Sequence, residues 1–168
     1  MRRGLAVLLL LALTGCVGAT TLRSDDFSRL TEHDVYGLTI KLPASMKRFD
    51  EGGTVAFRPD PPSRTSPGVL VLHRRGGDVD RILRQIYTKV ENQMSGEPIY
   101  VRVVIAGREV KGVYAELVTH FVWIYLIKEG RDLWTLQMAA PLDWTDETAL
   151  EFHDLICENV RIAPTAER

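Results

Sequence analysis

The stretch from Arg108 to Pro141, REVKGVYAELVTHFVWIYLIKEGRDLWTLQMAAP, constrains the fold more than any other part of this chain. Its β-branched and aromatic residues alternate with polar ones and are punctuated by Gly112 and Gly130, a pattern of neighbouring antiparallel strands rather than of a helix. It predicts strands over residues 112–121, 122–128 and 132–140, the last entered through a turn at Glu129-Gly130, and preceded by a strand over 99–106. Apolar residues run on around Phe121 and Val122, so periodicity leaves the strand boundary there undefined.

More strands precede this meander. Leu38, Ile40 and Leu42 alternate with Thr39 and Lys41 up to Pro43, residues 54–59 follow a Gly52-Gly53 turn, and residues 69–75 end at Gly76-Gly77. The proline-rich segment 58–68 can form neither helix nor sheet and is expected on the surface. Two helices interrupt the strands. Asp78 is placed to cap the first, with Val79, Ile82, Leu83, Ile86 and Val90 on one face. Thr145 is placed to cap the second, over residues 146–158, with Ala149, Phe152, Ile156 and Cys157 facing inward. A short strand over 160–162 could rejoin the sheet. This order predicts an α+β domain, an antiparallel β-sheet covered by two main helices.

At 168 residues, 45% apolar and 26% charged, the chain is long enough for one core without disulfides or metal. Its formal charge is -1, or -3 once Arg2 and Arg3 leave with a leader, which argues against a nucleic-acid partner. That leader is the other strong signal. Arg2 and Arg3 precede an apolar run from Leu5 to Leu13, too short to span a membrane, and Thr14-Gly15-Cys16 follow. Leu13-Thr14-Gly15-Cys16 resembles the lipobox of bacterial lipoproteins. The resemblance implies cleavage after Gly15, diacylglycerol on the Cys16 sulfur, and a further acyl group such as palmitate on the new amino group. Several acyl chains hold a protein on a membrane far more firmly than one. Val17 stands where an Asp commonly retains lipoproteins at the inner membrane, so in a cell with two membranes the outer one is the favoured destination.

The chain thus divides into a signal peptide (1–15), a lipidated tether (16–33), one domain (34–163) and a tail (164–168). The tether has few large apolar residues and as a coil would reach roughly 20–25 Å. A short helix around residues 25–30, capped by Ser24, is compatible with its sequence.

No catalytic constellation is visible. His33, His73, His120 and His153 show no ligand spacing, and neither phosphate-binding glycine motifs nor a glycine-flanked serine nucleophile occurs. No metal or cofactor is expected. His153 and Cys157 lie four residues apart on one helix face, but Cys157 reads best as a small core residue, with His153 at the edge of that face. Asp143, Asp146, Glu147 and Glu151 suit a helix N-terminus better than acid–base work. Two surfaces are candidates for a partner. Arg58 and Arg64, with Arg74 and Arg75 at a strand end, could gather to receive an acidic group. Trp123, Tyr125 and Trp134 read mainly as core, and Trp144 is the aromatic candidate for an exposed contact.

The order of YGLTIKLP, proline-rich loop, strand and helix, then REVKGVYAEL and GRDLWTLQMAAP, resembles the PsbP-like group. That group includes the photosystem PsbP proteins and bacterial lipoproteins of the DcrB kind. Gly112, Pro141 and the helix 145–158 match it in kind. The resemblance implies a layered α+β fold and a role in binding or assembly rather than catalysis. The expected function is a membrane-anchored, non-enzymatic envelope lipoprotein that binds or scaffolds an envelope protein. The alternative is a small-ligand-binding or hydrolytic domain with a pocket between the sheet and the C-terminal helix, built on inward polar groups around His120, His153 or Asp143.

Overall fold

The computed structural model describes residues 27–62, 66–92 and 97–163. In chain order they form β1 (Leu30–Val35), β2 (Leu38–Pro43), β3 (Met46–Glu51), β4 (Thr54–Pro59) and β5 (Gly68–Arg75), then α1 (Val79–Glu91). The meander β6 (Ile99–Ile105), β7 (Arg108–Glu116), β8 (His120–Glu129) and β9 (Asp132–Pro141) follows, and α2 (Asp146–Glu158) and β10 (Val160–Ile162) close the chain.

The predicted meander supplies four strands of a seven-stranded sheet in the order β3-β4-β5-β9-β8-β7-β6, antiparallel at every pairing. A smaller sheet, β1-β2-β10, packs on one face of it. Both predicted caps are present: the Asp78 carboxylate accepts from the Arg81 amide at 3.0 Å, and the Thr145 hydroxyl accepts from the Thr148 amide at 3.2 Å.

The large sheet is buried on both faces. Val122, Ile124 and Leu126 of β8 join Leu83, Ile86 and Val90 of α1 in one apolar cluster. Trp123, Tyr125 and Ile127 of the same strand join β2, Phe152 and Ile156 in a larger one. With both faces apolar, β8 shows no alternation, and this explains where the predicted boundary fails. Phe121 belongs to β8; β7 ends at Glu116, and the Leu117 amide donates to the His120 carbonyl at 2.8 Å across the turn. Nor does Gly112 interrupt a strand. It lies within β7 opposite Tyr125, whose ring occupies the space a side chain would need.

Three further expectations are corrected. Residues 30–33 are no tether: they lie in β1, and Phe27 is buried against Trp144 and Phe152, with ring centroids 6.2 and 6.1 Å away. No helix covers residues 27–30; a short 3₁₀ turn leads directly into β1. The apolar signal was weak because β1 is an edge strand whose threonine and carboxylates face water. Likewise Met46–Glu51, to which the sequence pattern assigns no element, is the charged edge strand β3. Helical cover is only partial, since α1 packs on β7 and β8 and α2 on β6, β9 and β2; strands dominate the domain.

Candidate functional site

Because α2 is capped at Thr145, Asp146, Ala149, Leu150 and His153 fall at three- and four-residue steps along one side of it. Below them the alternation of β8 presents Phe121, Trp123 and Tyr125, flanked by Tyr114 of β7 and by Val101 and Val103 of β6. Between helix and strands lies a cleft of about 400 Å³. Its walls are aromatic. Trp123 stands 5.5 Å from Tyr114, 6.3 Å from Phe121 and 5.1 Å from His153, measured between ring centroids.

Two polar groups that line the cleft, Tyr125 and His153, belong to a chain that continues to Cys157 and Asp154 outside its lining. The Tyr125 hydroxyl lies 2.7 Å from His153 Nε2, the Cys157 sulfur 3.6 Å from the same nitrogen, and Asp154 Oδ1 2.7 Å from His153 Nδ1. Burial, followed by the charges of Asp154 and Glu158, pushes the Cys157 thiol up to about 12. Burial, then Cys157 and Asp154, also pushes Tyr125 well above its ordinary value. Both groups therefore keep their protons and can donate to Nε2, and a hydrogen on Nδ1 donates to Asp154. A cysteine, a histidine and an aspartate in a row look like a nucleophilic site, but the attacking species must be a thiolate. Here the environment opposes it. The bond from Tyr125 to His153 joins β8 to α2, and His153, expected at the edge of its helix face, is buried at 7% exposure.

Near the mouth, the Tyr114 hydroxyl donates to Glu116 Oε1 at 3.0 Å, and burial reinforced by that carboxylate pushes it up to about 12. Apolar walls with few polar groups are suited to holding a ligand or an inserted side chain. Among the described residues no group of three or more His, Cys, Asp or Glu could hold a metal ion, and no helix is long and apolar enough to cross a membrane.

The other sequence candidates lie elsewhere. His120 is buried away from His153; its Nδ1 meets the Thr119 hydroxyl at 2.8 Å and its Nε2 the Ser66 carbonyl at 3.1 Å, which ties the proline-rich loop to β8. Asp143 is exposed but near enough for its charge to act on His120, whereas His153 bonds Tyr125 in the opposite row of β8, so the three groups of the expected polar cluster do not all meet. The arginines do not gather either. Pairing of β4 with β5 sets Arg58 near Gly68, whereas Arg74 and Arg75 end β5 about 20 Å away at roughly 3.3 Å per residue. Arg58 stacks over Phe49 at 4.7 Å, and burial holds Arg74 below the ordinary arginine value. Arg64 and Cys16 lie outside the described residues. Trp144 is no free anchor; half-buried, it meets Phe152 edge-on with centroids 5.6 Å apart.

Tyr114, Phe121 and Val103 were not singled out by sequence reasoning. Their common feature, apolar residues at the end of the meander nearest α2, becomes readable only once the register is known.

No family model matches the chain, and no curated protein matches it. Solved structures do. Cyanobacterial PsbP from Synechocystis sp. PCC 6803 is similar with a TM-score of 0.58 and 13% identity, over 88% of this chain and 98% of that one. LpqN, involved in cell envelope biogenesis of Mycobacterium tuberculosis, is similar with a TM-score of 0.55 and 14% identity, over 81% of this chain and 91% of that one. A Bacteroides thetaiotaomicron protein is similar at 0.51 and 13% over 79% of this chain, which spans 47% of that longer one. The domain has the PsbP-like fold.

Proposed function

We propose that this chain is an envelope lipoprotein, acylated at Cys16 and held preferentially at an outer membrane, whose PsbP-like domain binds an envelope protein rather than transforming a substrate. The sequence Leu13-Thr14-Gly15-Cys16 behind its apolar run supports the anchor. The involvement of the LpqN neighbour in cell envelope biogenesis agrees with that location. One observation supports the binding role: a cleft of about 400 Å³ walled by Tyr114, Phe121, Trp123 and Tyr125, with few polar groups among its lining residues. In the full chain, Cys16→Ala should abolish the acyl mass and release the protein from membranes. Unchanged mass and attachment would refute the anchor. Crosslinking of the lipidated protein in membranes, followed by mass spectrometry, should recover a reproducible envelope partner; repeated recovery of none would refute the binding role.

A second reading, a small-molecule site, is favoured by the same cleft, since about 400 Å³ lies within the usual range of roughly 300–1,000 Å³ for ligand pockets. Cleft-directed substitution at Trp123 would then abolish ligand binding without affecting protein capture.

A further inference from the structure

Sheet edges are templates for pairing, and proteins usually protect them with charge, proline or brevity. Three edges in this fold follow that practice. β3 is MKRFDE, β1 is LTEHDV, and β10 has three residues. β6 does not. Its sequence is IYVRVVI, with one charge in seven residues, and among the described strands it pairs with β7 alone. Ile99, Tyr100 and Val104 are 56%, 52% and 65% exposed, an unusual cost for apolar residues on an open edge.

Two clefts flank this edge. On the α2 side the aromatic cleft reaches β6 at Val101 and Val103. On the α1 side a groove of about 320 Å³ lies against Tyr100 and Arg102. Arg84, Arg102 and Lys111 line this groove; Lys111 pairs with Asp80 at 2.8 Å and Arg102 with Glu109 at 3.1 Å, both pairs exposed, so the five charges leave one net positive charge. A strand added to β6 would send alternate side chains to the two sides, one set to apolar walls and the other to a charged groove with a net positive balance, whose exposed ion pairs can exchange partners.

We propose that β6 captures an extended segment of the envelope partner as an eighth strand, a segment in which apolar residues alternate with acidic ones. This rests on the binding role proposed above and names the surface and the chemistry of what binds. A second copy of the chain fits less well. Full antiparallel pairing of two β6 strands about a two-fold axis would set Arg102 directly opposite Arg102, and like charges in that position repel.

The test uses the full chain in detergent micelles and a synthetic ten-residue peptide alternating glutamate with valine or phenylalanine. Hydrogen exchange over Ile99–Ile105 is followed by mass spectrometry, and binding by tryptophan fluorescence. The peptide should slow exchange on β6 about tenfold or more and leave β3 unchanged. Arg102→Glu should weaken binding about three- to tenfold, and replacing the peptide's glutamates by lysine should restore it. Equal protection by a peptide of the same composition with its acidic and apolar residues in separate blocks would overturn the proposal. So would the absence of any effect on β6, or a β6 already protected without peptide, the sign that a second copy or the chain's own N-terminal segment occupies the edge. Neither result bears on the Cys16→Ala experiment, and a partner still recovered by crosslinking would leave the binding role standing on another surface.

Discussion

On one face of the seven-stranded sheet, α1 sets Leu83, Ile86 and Val90 against Val113, Val122, Ile124 and Leu126. On the other, α2 sets Phe152, Ile156 and Cys157 among Trp123, Tyr125, Trp134 and the strands of the small sheet. The first face is nearly all aliphatic, and an amphipathic helix of ordinary pattern suffices to cover it. The second combines large rings with a buried hydrogen-bonded histidine, and it holds the cleft. Aliphatic side chains fill space evenly, whereas a few rigid rings pack closely at some points and leave room at others. The face suited to receive something is therefore the one where packing is least uniform.

The largest test of that contrast deletes one anchor from each helix. Phe152 is fully buried and touches the rings of Phe27 and Trp144. Phe152→Ala should cost about 3–5 kcal/mol in urea unfolding and release the N-terminal residues, seen as faster exchange over β1. Leu83→Ala on α1, at 6% exposure, should cost about 2–3 kcal/mol and leave β1 unaffected. Equal losses, with β1 undisturbed by both, would mean that the two faces do not differ in this way.

A second test acts where one strand serves both faces. A Cβ at Gly112 would collide with the Tyr125 ring and come within 2.6 Å of the Ile124 carbonyl. Gly112→Ala should therefore destabilise by about 1–3 kcal/mol and distort the cleft, because Tyr125 must move. Retained stability with unchanged tryptophan fluorescence would show that the ring has another place to go.

Gly112 also illustrates what could be read from the sequence. The meander, both helix caps and the inward faces of both helices follow from local periodicity and capping chemistry, which depend on residues close in sequence. The three charged or short edges were harder. Half of an edge strand faces water, so β1 and β3 resemble loops in composition. Register is harder still. Whether Gly112 ends a strand or lies beneath an aromatic ring, and whether Arg58 approaches Arg74, depends on pairings between distant segments that no single segment encodes. The candidate site was legible only in outline. A pocket between the sheet and the last helix was expected as the alternative reading, but its lining of Tyr114, Phe121 and Trp123 follows from that register.

Removing the Tyr125 hydroxyl tests the buried bonds of the α2 face alone. In Tyr125→Phe, His153 Nε2 keeps only the long contact to Cys157. The expected cost is about 1–2 kcal/mol, with the unfolding midpoint lowered and its slope unchanged. A neutral result would mean that water replaces the hydroxyl, making the cleft wetter at its base than its aromatic walls suggest.

The smallest effect compares one histidine from each side. His120 shares the strand row of Val122 and Ile124, while the His33 ring lies 4.7 Å from Phe57 in the other core. Burial lowers both pKa values, opposed for His120 by the Ser66 carbonyl and Asp143, and reinforced for His33 by the nearby charge of Arg48. Well above pH 6.5, from about pH 8 upward, both rings are almost entirely uncharged whether folded or not, and their contribution to stability is complete. As pH falls below about 6.5, the unfolded chain takes up protons first, so stability declines until the folded-state values are passed and then levels off. The urea midpoint of the unaltered protein should therefore drop between pH 7.5 and 5.5. That drop should shrink in His120→Asn more than in His33→Asn, because His120 is 6% exposed and His33 only half-buried. A larger change in His33→Asn would mean that the charge of Arg48 outweighs burial, and that electrostatics rather than packing distinguishes the two faces at low pH.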